Sequence, residues 1–157
     1  KKLSEFNYKL LSGTLPCGKI LSKWQNNIDA KCSICGEIED VKHMLFSCVK
    51  VRPVWDLLGN IFCVNIQWKH LVIGYCLNIN DKTRLLTLMY CLVSYSIFKI
   101  NNQCKWKNIN YNECSIIKTV LYDLIYFNKL QTYFKNSYVP QPTLQRIIDV
   151  FTAEIVN

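Results

Sequence analysis

Residues 31–48 read Lys31-Cys32-Ser33-Ile34-Cys35-Gly36-Glu37-Ile38-Glu39-Asp40-Val41-Lys42-His43-Met44-Leu45-Phe46-Ser47-Cys48. Four side chains in this window, Cys32, Cys35, His43 and Cys48, follow a C-x2-C-x7-H-x4-C pattern. A C-x2-C step wraps a tight knuckle that turns both sulfurs toward one ion, and Gly36 directly after it can take the positive φ such a turn needs. His43 and Cys48 return from the far side of a short loop or helical turn. Three thiolates and one imidazole complete a closed tetrahedron around a single Zn²⁺. Closed coordination leaves no position for water or substrate, so the metal is structural. The set carries a local charge of −1, which Lys31 and Lys42 can balance. In a module with little core of its own, metal binding is folding energy.

Outward from this window the pattern is helical. Before it, Leu3–Gly13 sets Leu3, Phe6 and Leu10 at helical spacing, with Tyr8 and Leu11 adding to the stripe, and Gly13 is a natural stop. Pro16 forbids continuation, and a second short helix is expected from about Lys19 to Gln25. After it, Pro53 opens a helix carrying Trp55, Leu57, Leu58, Ile61 and Phe62. Asn80 or Asp81 caps a long helix to about Asn101, apolar over most of its circumference and therefore central. A polar, basic connector is expected over Asn101–Asn112, then a helix from Asn112 to about Lys135, and a last one capped by Thr143. The fold class is mainly α: a small CCHC zinc knuckle packed on a bundle of about six helices. Residues 1–60 form the zinc module, and 61–157 a helical tail packed on it as one unit.

The whole chain has 157 residues and a formal charge of +8. Half the residues are hydrophobic and 19% are charged, which excludes a disordered tail. The nine cysteines are an odd count, against a disulfide framework and for a reducing, intracellular compartment, cytoplasmic or nuclear. Those at 63, 76, 91, 104 and 114 read as buried small hydrophobes. A looser set, Cys63, His70 and Cys76, has ligand chemistry but reads as core filling. The stretch Leu85–Ile100 is too short to span a membrane and contains Lys99. The chain opens Lys1-Lys2-Leu3, like a segment of a longer polypeptide, and shows no signal peptide.

A longer pattern frames the metal window. It runs through Phe6-Asn7-Tyr8-Lys9-Leu10-Leu11, then Leu15-Pro16-Cys17-Gly18 and Leu21-Ser22-Lys23-Trp24. It continues through the four ligands and Glu39-Asp40 and closes at Trp55. In this order of features, residues Phe6–Trp55 resemble the zinc-binding domain that follows the reverse transcriptase in LINE-type, non-LTR retrotransposons. Family members often carry Pro directly after the last cysteine; here Val49 stands there and Pro53 comes later. The resemblance implies an accessory role beside the upstream polymerase region of a parent chain. That role is to help hold template RNA or target DNA during target-primed reverse transcription. The polymerase itself is not in this sequence, since no paired-aspartate signature of the Tyr/Phe-x-Asp-Asp kind occurs.

The charge points the same way. Bound zinc with three thiolates reduces +8 to about +7, still suited to a polyanion. Lys105, Trp106, Lys107 and Tyr111 interleave charges with rings, offering phosphate contacts and base stacking to RNA or DNA. Lys19, Lys23 and Lys31, extended by Lys42, form a second patch beside Trp24, itself expected to be a core brace for the knuckle. Catalysis is not expected: with His43 a ligand, His70 is the one histidine left and has no partner motif, and there is no phosphate-cradling glycine loop. No small-molecule substrate is implied. The competing reading is a domesticated or orphan helical module that binds a protein partner. A large exposed apolar patch after Asn112 would favour it.

Overall fold

The computed structural model describes residues 2–73, 81–107, 109, 111–134 and 141–156. Among them are seven α-helices and one π-helical turn, with no strand. They are α1 (Lys2–Leu11), α2 (Gly18–Leu21), the π-turn (His43–Ser47), α3 (Arg52–Phe62), α4 (Trp68–Ile73), α5 (Asp81–Lys107), α6 (Glu113–Phe134) and α7 (Gln141–Val156).

The long α5 is the axis. Its buried Leu86, Met89, Tyr90, Val93, Ile97 and Ile100 lie in one hydrophobic cluster with side chains of the π-turn and of α1, α3, α4, α6 and α7. α1 docks on it through Phe6, whose ring meets Tyr95 and Phe98 at centroid distances of 5.5 and 5.4 Å. Tyr8 and Leu11, expected to widen that stripe, are instead exposed; Phe6 and Leu10, one turn apart, bury the face on their own. Gly13 closes α1 with φ +68°. Gly13 N–H bonds Leu10 C=O and Thr14 N–H bonds Lys9 C=O, the paired bonds of a Schellman stop.

Three further expectations shift. α2 ends at Leu21, short of Gln25. α5 runs past Asn101 to Lys107, so the first half of the expected connector is helix. Its Asn101 and Cys104 are buried, because Asn101 finds a polar partner inside. α7 starts at Gln141, two residues before Thr143, with Pro142 in its first turn. Asn112 caps α6 as read, its Oδ1 accepting from Ser115 N–H at 2.9 Å. The Asn80 cap lies outside the described residues.

Candidate metal centre and basic face

The knuckle is built by backbone pairing. Cys32 N–H bonds Glu37 C=O at 2.6 Å, Glu39 N–H bonds Ala30 C=O at 2.9 Å, and Gly36 N–H bonds Cys32 C=O at 2.8 Å. Gly36 turns the corner at φ +84° with open space above its Cα, as the sequence required.

The return limb is where the π-turn matters. In an α-helix, residues five apart point about 140° away from each other. Here Cys48 N–H reaches His43 C=O, five residues back, at 3.0 Å, and this wider turn lets His43 and Cys48 face one centre. Asp40 Oδ1 accepts from His43 N–H at 2.7 Å and fixes where the turn begins.

The ligand atoms of Cys32, Cys35, His43 and Cys48 all lie within 4.8 Å of one another. Cys35 Sγ and His43 Nε2 are 3.2 Å apart. A zinc tetrahedron with sulfur at 2.3 Å has edges of roughly 3.5–3.8 Å, so the donor set fits one structural Zn²⁺ in both chemistry and spread. Cys32 and Cys48 are buried, while Cys35 and His43 are partly accessible. A hydrogen bond from Cys48 pulls the Cys32 thiol down to about 5. Burial pushes Cys35 up, and the bond to Cys32, with burial behind it, pushes Cys48 up.

Two side chains tie this centre to the helices. Trp55, fully buried, donates from Nε1 to Leu45 C=O in the π-turn at 2.8 Å and meets Tyr90 of α5 edge-on. Glu39, also fully buried, accepts from Gly18 N–H at 2.5 Å, Asn101 Nδ2 at 2.9 Å and Lys105 Nζ at 2.6 Å. Its own carbonyl takes Lys19 N–H at 2.9 Å. Gly18 is required by closeness: a Cβ there would stand 2.9 Å from Ala30 O and from Lys105 Nζ.

Residues 1–55 match the family described as zinc-binding in reverse transcriptase. That stretch, about a third of the chain, is similar to the zinc-binding domains of that family and contains all four ligand residues. Over 108 residues, 64% of the chain, the sequence is also 28% identical to a Xenopus laevis protein named Transposon TX1 uncharacterized 149 kDa protein. That stretch spans 8% of the relative's length. Both comparisons agree with the LINE-type resemblance. No solved structure matches the chain significantly.

Around this metal centre the basic candidates fall in different places. Lys19, Lys23, Lys31, Lys42 and Lys107 are exposed, and none is in an ion pair among the described residues. Lys105 is turned inward onto Glu39, its side chain 11% exposed. The Tyr111 ring packs partly on the core and its hydroxyl donates to Gln103 Oε1 at 2.6 Å. Trp106 is 57% exposed, and Trp24, expected as a core brace, is 79% exposed; the bracing falls to Trp55. Of the looser set, Cys63 is exposed at the left-handed end of α3 and His70 stacks on Tyr90, so Cys63 is not core filling. Cys76 lies outside the described residues. No helix among them is long and apolar enough to cross a membrane.

What sequence reasoning missed is Glu39, Gly18 and Asn101. The Glu39-Asp40 and Cys17-Gly18 pairs are visible in the longer pattern, but Gly18 meets Glu39 across 21 residues, and Glu39 meets α5 across 62 to 66.

Proposed function

We propose that the chain is a non-catalytic, zinc-stabilised nucleic-acid-binding part of a LINE-type retrotransposon reverse transcriptase, which helps hold template RNA or target DNA beside the polymerase region. The carrying observation is the exposed pairing of indoles with lysines that make no ion pair among the described residues: Trp24 next to Lys23, and Trp106 next to Lys107. Lysines without acidic partners release phosphate counterions on binding, and bare rings stack on bases. Glu39 withdraws Lys105 from this face, so the proposal rests on Lys19, Lys23, Lys31, Lys42, Lys107 and the two indoles.

The test is binding of labelled RNA and DNA by the zinc-loaded chain across a salt series. Affinity should fall steeply as salt rises, and Lys→Gln at each of the five lysines should flatten the slope by about one contact. One bound zinc with no binding at low salt would overturn the reading. It would favour the protein-interaction module, for which α6 offers exposed Tyr122 and Tyr126 one turn apart.

A further inference from the structure

We propose that the cleft between the zinc knuckle and the end of α5 receives one unpaired base of a single-stranded nucleic acid, stacked on Trp106. The inference rests on the nucleic-acid reading above and gives it a strand state and a place.

The cleft holds about 370 Å³, enough for a nucleobase with part of its sugar. One wall is the knuckle and the loop before it, which contribute Asn27, Asp29 and Ser33; the other is the end of α5 with Trp106. Gly36 lines it as well, and no side chain crowds the space above that glycine. The three polar side chains can meet the donor and acceptor edge of a base. A ring that is 57% exposed supplies the face.

The walls are joined rather than merely adjacent. Glu39 ties the knuckle limb to Lys105, the residue before Trp106, at 2.6 Å. Bound metal fixes the knuckle, and this ion pair fixes the helix end against it. The cleft therefore exists before ligand arrives, and little ordering cost is left for binding. Exposed Lys31 lines the knuckle wall, and exposed Lys107 follows Trp106 at the end of α5, outside the cleft lining; both suit the phosphates on either side of a seated base. A paired base stacks on its neighbours and cannot turn its face to Trp106, so the ligand is a single strand, a loop or a frayed end.

The experiment compares a short oligothymidylate with a mixed-sequence duplex of equal length, using the zinc-loaded chain. Trp106→Ala should weaken single-strand binding about 10- to 100-fold and change duplex binding by less than about twofold. Trp106→Phe should restore most of the loss, because a ring remains. In parallel, a single-strand probe carrying one photoreactive thymine analogue is crosslinked to the unaltered chain, where the label should map to Trp106. Equal losses on both probes, unchanged single-strand binding, or a crosslink confined to Trp24 would overturn the cleft and leave the nucleic-acid reading standing. An unaltered chain that binds neither probe would remove that reading and the cleft with it. Should Trp106→Ala fail to hold zinc, the crosslink decides.

Discussion

Glu39 and Lys105, 66 residues apart, meet at 2.6 Å with the Glu39 side chain 1% exposed. The pair welds the zinc limb to the far end of the longest helix. A buried carboxylate is tolerated when its oxygens are filled, and here Gly18, Asn101 and Lys105 fill them. Lys105→Met leaves that charge without its counterion. It should cost about 3–5 kcal/mol in denaturant unfolding of the zinc-loaded chain. Glu39→Gln together with Lys105→Met should recover part of it, since neither charge is then stranded. If Lys105 instead served phosphate, the single variant would change the salt slope and leave stability alone.

Gly18 tests the same junction from the backbone side. Added methyl carbon meets a carbonyl oxygen at 2.9 Å, and backbone cannot step aside as a side chain can. Gly18→Ala should destabilise by about 1–3 kcal/mol. Gly36→Ala has open space but sits at φ +84°, so its loss should be nearer 1 kcal/mol. Thermal unfolding of the two variants side by side checks the order.

Trp55 is the interior brace of the metal centre. Trp55→Phe keeps most of the apolar volume but strands the Leu45 carbonyl that Nε1 now satisfies at 2.8 Å. The expected cost is about 1–3 kcal/mol. Trp55→Ala adds a cavity and should cost about 3–5 kcal/mol. Zinc content under mild denaturant should fall in the same order, because the bond lands on the turn between His43 and Cys48.

Where the metal sits was legible because its determinants are local: all four ligands and Gly36 fall within 17 residues. The helices were legible from periodicity, with Gly13, Pro53 and Asn112 marking ends. What local sequence could not show is which polar residue finds an interior partner. Asn101 and Lys105 sit in a run that reads as solvated connector, and Glu39, arriving from the knuckle, is the interior partner that turns these two side chains inward. Trp24, expected as the brace, stays exposed and Trp55 takes that place for a similar reason. Either indole could have braced the knuckle, and the choice fell to the one whose helix packs against the π-turn.

Metal binding itself should depend on pH with a predictable sign. Cys32, held down to about 5 by the bond from Cys48, is already a thiolate at neutral pH. Cys35 is pushed up by burial, and Cys48 by its bond to Cys32 and by burial, so both still carry protons. Zinc needs all three deprotonated, and binding near pH 7 should release about two protons, with affinity rising about 100-fold per pH unit. The metal-free chain follows the opposite limbs of the same chemistry. Lowering of Cys32 adds stability that is complete above the ordinary thiol value of about 8.5 and is lost as pH falls toward 5. Raising of Cys35 and Cys48 adds stability that is present below about 8.5 and is lost above it. Metal-free stability should therefore peak near pH 8.5, by denaturation in chelator across a pH series. Cys32→Ser should erase the acid limb of that peak. A flat profile, or proton release near zero in zinc titrations run in two buffers, would contradict the single-thiolate arrangement.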